Sequence, residues 1–276
     1  MSEFITFMGP PLAACFLLAV AFTYFGCHVL KREIIFIDLS LAQLAALGTT
    51  AAFALEMDLD SPASLGLSLI FIVLGAGFFT FTRSLSGRVP QEAIIGIVYV
   101  VSASAALLLA SGMPHGAEHL KTLLNGSILW ITWGGVLQVL GAILLTGVVH
   151  WIWKDEMREQ SQGYKNPSSM SFQGAGWDFL FYTTLGLVIV FSVHTAGVFL
   201  IFTFLIIPAV CGALFSPSMT HQFLIGSIIG VLVSFAGLGL AFFLDLPTGA
   251  TIVCSFGAVF IIALLASRFN LPIRKT

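Results

Sequence analysis

The chain has 276 residues, 58% of them hydrophobic and only 9% charged, with a formal net charge of −2. Soluble domains carry about 25% charged residues, so this composition excludes an ordinary water-soluble domain and leaves no basic surface for nucleic acid. Four scattered cysteines without a CxxC pair argue against a disulfide framework or a thiolate zinc site and read as small packing residues.

Apolar runs of roughly 20 residues suit a hydrocarbon core about 30 Å thick. About nine fit, near 8–30, 34–55, 63–82, 91–111, 127–153, 177–192, 195–215, 222–244 and 248–267. The expected fold is therefore all-α and integral to a membrane. The sixth run is short and reads as tilted or broken, so eight to ten spans remain compatible. No Lys or Arg precedes the first run and no cleavage site follows it, which reads as a span and not a removed signal peptide. The polar stretch 154–176 reads as a linker, leaving one transmembrane domain over 1–276.

All Lys and Arg except Lys121 follow the first, third, fifth or ninth run. The positive-inside rule makes that side cytoplasmic. The N-terminus is then outside, the C-terminus inside, and the outer loops are acidic, with Glu3, Glu56, Asp58, Asp60, Glu118 and Asp245. An acidic outer face gathers cations, although short acidic loops also arise from the topology rule alone.

The second span begins Phe36-Ile-Asp38-Leu-Ser40-Leu-Ala42-Gln43. An ionisable group in hydrocarbon costs several kcal/mol, roughly 2.5–3.5 on insertion scales, and faces protein, water or solute. At about 100° per residue Asp38, Ala42, Ala45, Thr49 and Ala52 share one line, an acid followed by small residues, while Ser40 and Gln43 lie on another. Counted from Arg32, Asp38 lies about 9 Å and Gln43 about 16 Å along the helix. Asp38 either anchors the span through a partner on another helix, with Lys31 and Arg32 the nearest same-chain cations, or lines the translocation path. For Gln43 the alternatives are a helix–helix hydrogen bond and a path contact.

The sixth run ends at Ser192-Val-His194-Thr-Ala-Gly197, which makes His194 a further path candidate. His28 and His150 lie at span ends, where packing is the default. The outer string His115-Gly-Ala-Glu118-His119 fits the HxxEH pattern of inverted zinc peptidases. Zinc catalysis needs both histidines on one helical face, but Gly116 and a preceding Pro114 point to a loop; an ordinary polar loop is the first reading and transient cation contacts at the outer mouth the second. No GxxxxGK[ST] occurs, so the chain carries no P-loop. Gly226 and Gly230 at small-xxx-small spacing suggest close packing in the eighth span.

Two segments carry a resemblance. His194-Thr-Ala-Gly197-Val-Phe-Leu-Ile-Phe-Thr-Phe-Leu-Ile-Ile-Pro208-Ala and Lys31-Arg32 followed by Phe36-Ile-Asp38-Leu-Ser-Leu-Ala-Gln43-Leu-Ala-Ala-Leu-Gly48 resemble the membrane subunits of zinc/manganese/iron ABC importers. The segment His119-Leu-Lys-Thr-Leu-Leu-Asn-Gly126 resembles that family's outer loop before the fifth span. The chain departs from the family in three places. Ala42-Gln43-Leu44 stands where many members have Ser-His-Ala, and Ala213 where an Arg closes the Pro-Ala-Ala-x-Ala-Arg turn. The Asp-Glu-x-x-Ala-x-x-x-Gly stretch is not recognised in 154–176.

The resemblance implies a homodimeric permease in the bacterial inner membrane that moves a divalent metal ion. It implies separate ATP-binding cassette subunits docking at a cytoplasmic turn with Pro208, Ala213, Ser216, Pro217 and His221. It further implies an external solute-binding protein, ATP used only by the separate subunits, no cofactor on this chain and no enzymatic activity. The residues alone leave two alternatives: a proton-coupled secondary transporter using Asp38, and a membrane zinc hydrolase using His115, Glu118 and His119.

Overall fold

The computed structural model describes residues 2–58, 61–83, 88–113, 116, 124, 126, 128–164 and 172–270. Among them the structure is helical: α1 Ser2–Arg32, α2 Ile37–Ala54, α3 Pro62–Thr82, α4 Gln91–Ser111, α5 Trp133–Ile152, α6 Lys154–Gln162, α7 Phe172–Ala196, α8 Val198–Phe215, α9 Met219–Leu244 and α10 Thr248–Asn270. Nine of these are long and apolar enough to cross a membrane, and they match the expected runs.

Three boundaries differ from expectation. The sixth span is not short: it runs Gln173–Ala196, because Asp178 is neutralised by partners and does not end the helix. The fifth begins at Trp133, after a 3-10 turn at Ile128–Trp130, where the Thr132 hydroxyl caps the Gly135 N–H. The supposed linker contains α6, a polar helix with Met157, Gln160 and Ser161 buried.

Local chemistry accounts for the other ends. Ser61 caps α3 by accepting from the Ser64 N–H, with Pro62 at the first position, where its missing N–H costs nothing. Gly197 at φ +80° breaks the chain between α7 and α8, a conformation that side chains rarely adopt.

α1, α2 and α7 are the most enclosed spans, whereas α4, α5 and α10 bury little of their surface. Helices in lipid gain little from hydrophobic burial and associate by close packing of small residues. Gly48 of α2 meets the Ser68 backbone of α3, and Gly226 of α9 meets the Pro208 carbonyl of α8 and Thr23 of α1. The close contact expected from the Gly226–Gly230 spacing is therefore made.

Candidate functional site

α2 carries the residues singled out in the sequence, and its small-residue line is buried as expected: Asp38, Ala42, Ala45, Thr49 and Ala52 are each at most 2% exposed. The other face, with Ser40 and Gln43, is buried too, because α2 packs against α3, α4, α7 and α8. Its small side chains admit those neighbours at short range. The helix starts at Ile37, later than expected, since Glu33 turns the chain at φ +55°. Asp38 therefore sits on the first helical turn, and Gln43 about 10 Å along the helix instead of 16.

The ionic anchor considered for Asp38 is not made. Both carboxylate oxygens are buried and meet no hydrogen-bond donor among the described residues, and neither does the Ser40 hydroxyl. Asp38 lies on the first turn of α2, at the positive end of the helix dipole. Arg32 turns elsewhere. Glu92, on the first turn of α4, accepts from the Phe36 N–H at 2.9 Å, and its other oxygen is buried without a partner. Two acids are thus brought to the same end of the α2–α4 pair. An unpaired buried carboxylate costs several kcal/mol and calls for a proton or a cation. Glu92 was not singled out in the sequence, although an acid opening an apolar run was a signal. Gln43 is buried on the other face of α2, 6% exposed.

At the opposite end of the bundle a polar cavity of about 380 Å³ is lined by Ser61, Ser64, Ser68, Gln138, His194 and Thr195. His194 Nδ1 donates to the Val190 carbonyl at 3.3 Å, and the residue lines the cavity. Thr49 Oγ1 and Ser68 Oγ share a 2.8 Å hydrogen bond that joins α2 to this end. His115, Glu118 and His119 lie outside the described residues. Among the described residues no group of three or more His, Cys, Asp or Glu is placed to hold a metal ion.

The turn between α8 and α9 is partly exposed. Pro208 is buried inside α8, while Ala213, Pro217 and His221 are exposed and Ser216 is half-buried. Gln222 Nε2 donates to the Ser216 carbonyl at 2.8 Å, and the Ser218 N–H to Ser216 Oγ at 3.3 Å, so the turn is held from inside. Gly212 allows the turn to close, since a Cβ there would lie 2.2 Å from the Gln222 carbonyl oxygen.

Sequence reasoning missed a charged cluster at the basic end. Asp178 of α7 is fully buried and accepts from Arg32 of α1 at 2.8 Å and from Arg83, which follows α3. Its signal was an acid at the start of an apolar run, on the side where the arginines fall. His28 and His150 join this region as hydrogen-bonded groups: Tyr24 bonds His150 Nδ1 at 3.0 Å, and His150 Nε2 bonds Thr184 at 2.8 Å. Tyr164 and Tyr182 share a 2.7 Å hydrogen bond. Burial, with the Asp178 charge second, raises the Tyr164 phenol above its ordinary value and keeps it protonated.

Nine candidate spans among the described residues, with a buried acid on the second and a half-buried one on the fourth, a polar cavity at one end and an exposed turn at the other, suit a multi-pass membrane permease. The chain belongs to the ABC 3 transport family, whose model matches residues 4–267. The "Probable metal transport system membrane protein" of Chlamydia trachomatis is 25% identical over 97% of this chain and 91% of its own. The chelated iron transport system membrane protein YfeC of Yersinia pestis is 28% identical over 74% of this chain and 71% of its own. PsaBC from Streptococcus pneumoniae, solved in complex with Fab, superposes with a TM-score of 0.76 at 19% identity, covering 93% of this chain and 90% of that one. The chain is thus a transport permease and not an enzyme, which removes the hydrolase reading, and in a bacterium it lies in the inner membrane.

Family membership also changes the reading of α6. Asp155, Glu156 and Gly163 stand at the spacing of the Asp-Glu-x-x-Ala-x-x-x-Gly stretch, with Glu159 in place of the alanine. These residues form a helix with Lys154, Asp155, Glu156, Arg158 and Glu159 exposed.

Proposed function

We propose that this chain is a single-domain permease subunit of an ATP-driven importer of divalent metal ions, manganese or iron in preference to zinc. The match to the ABC 3 transport family over nearly the whole chain carries the reading. The relatives include membrane proteins of manganese and chelated iron transport systems, which supports the substrate class. Gln43 where many members have histidine disfavours zinc, which prefers nitrogen and sulfur ligands. Oxygen donors such as Asp38 and Glu92 suit harder ions.

In this reading two copies enclose the path and the basic end faces the cytoplasm. Separate subunits bind and hydrolyse ATP there, docking on α6 and the 216–221 turn, and an external binding protein delivers the ion to the acidic end. His194 and the polar cavity contact the ion only transiently, because a tight site hinders release. A strain lacking the gene should lose high-affinity uptake of manganese or iron and regain it with the gene restored. Unchanged uptake of manganese, iron and zinc would overturn the reading.

The docking surface gives a second expectation. Ala213→Trp or Ser216→Arg should insert normally but lower uptake roughly tenfold or more, the scale of losing central contacts in an interface. Co-purification with the ATPase subunit and full uptake in both variants would remove this turn from the interface.

A further inference from the structure

We propose that the buried Arg32–Asp178–Arg83 triad is the link by which movement of α6 is passed to α1, α3 and α7. The inference rests on the reading of α6 as a surface for the ATPase subunit.

Every member of the triad is tied to α6 or to Tyr164, two residues beyond its end. Arg32 Nη1 donates to Asp178 Oδ1 at 2.8 Å, and its Nε donates to Ser161 Oγ of α6 at 3.0 Å. Gln160 of α6 reaches Asp178 Oδ1 at 3.4 Å and the Gly174 carbonyl at 3.3 Å. Arg83 Nη1 donates to Asp178 Oδ2, while its Nη2 donates to the Tyr164 carbonyl at 2.8 Å. The Arg83 guanidinium lies 3.9 Å over the Tyr164 ring, and that of Arg32 lies 4.0 Å over Phe181.

The Ser161 hydroxyl is fully used. It donates to the Met157 carbonyl at 2.9 Å, so it can only accept from Arg32 Nε and from His28 Nδ1, the latter at 2.8 Å. That assigns the proton to His28 Nδ1. A single hydroxyl thus ties α6 to two residues of α1 one helical turn apart.

Stability alone does not account for this construction. A buried ion pair is weak evidence for stability, since well-packed apolar residues often do as well. A planar guanidinium with fixed donors sets direction and angle, which an apolar contact does not. α6 presents charged residues outward and Met157, Gln160 and Ser161 inward. A push on the outer face therefore reaches the spans through groups whose geometry is fixed. Arg32 ends α1, Arg83 follows α3 and Asp178 lies near the start of α7, so one displacement of α6 acts on three spans at once.

The test uses the whole permease reconstituted in proteoliposomes with its ATPase subunit, with Mn²⁺ as the transported probe. Ser161→Ala removes the ties of Arg32 and His28 to α6 and leaves the triad and its Gln160 contact; Arg32→Lys keeps the charge and loses the fork. Both should assemble and hydrolyse ATP, with Mn²⁺ moved per ATP reduced by roughly threefold to thirtyfold, the range of mutational effects on coupling. Gln160→Ala supplies a third variant should one of these fail to assemble. Glu156→Cys on the outer face, cross-linked to the ATPase subunit, reports docking independently. A cross-link with unchanged Mn²⁺ per ATP in the assembled variants overturns the triad proposal alone. Absence of any cross-link along α6 overturns the docking reading and the proposal with it.

Discussion

Gly26→Leu should abolish assembly of the permease, and even Gly26→Ala should cripple it. Gly26 lies in α1 against α8, where an added Cβ would sit 1.9 Å from the Leu205 carbonyl oxygen and 2.9 Å from the Ala209 Cβ. The obstacle is helix backbone, which cannot swing aside as a side chain does. α1 and α8 would have to move apart along a contact that also holds Pro208, Gly226 and Thr23. Overpacking a core costs about 1–3 kcal/mol and sometimes more. Helices in lipid, held by close packing, have little else to compensate for it. Size-exclusion chromatography in detergent measures the outcome. The controls are Gly66→Ala, Gly96→Ala and Gly141→Ala, where an added Cβ meets no atom within 4 Å. Should Gly26→Ala elute and melt as these controls do, the α1–α8 contact is not as tight as described.

Asp38→Asn should fold and insert normally yet lose most uptake. Had Asp38 anchored α2 through a hydrogen bond or an ion pair, asparagine would preserve much of that role. No such partner exists among the described residues: both oxygens are buried and unbonded. What asparagine removes is the negative charge. A carboxylate in contact with a dication at an effective dielectric near 20 is worth several kcal/mol, so a fall in uptake of roughly tenfold to a hundredfold is expected. Asp38→Ala should resemble Asp38→Asn in transport, with a further small loss of stability. Glu92→Gln, at the same end of the helix pair, should give a weaker version of the same defect. Wild-type uptake by Asp38→Asn, alongside loss of assembly in Asp38→Ala, restores the anchoring role and refutes the path role.

What was legible in the sequence followed from local chemistry. Hydropathy located nine spans because each run must fill the bilayer by itself. Period 3.6 located the Asp38 line because α2 is regular, and spacing alone marked Gly226 and Gly230 as a contact. Pairing across the chain left no such trace. Asp178 meets Arg32 and Arg83 at separations of 146 and 95 residues, and no short window contains both partners. Proximity in sequence suggested Arg32 as a neighbour of Asp38, but the turn at Glu33–Phe36 sends the two side chains to different places. α6 was missed because eight polar residues around a lone Met157 look like a linker. Its helix depends on tertiary contacts at Met157, Gln160 and Ser161, which outweigh its weak apolar pattern.

The enclosure of α2 bears on how the protein is made. It has the lowest mean hydropathy of the nine spans among the described residues and the largest buried share. A segment with an acid, a glutamine and many small residues partitions poorly into lipid by itself. During synthesis its release into the bilayer is then tied to the arrival of α3 and α4, which cover it, and only later to α7 and α8. The order in which the chain leaves the insertion machinery, and not only the final packing, is thus set by the helix that carries Asp38.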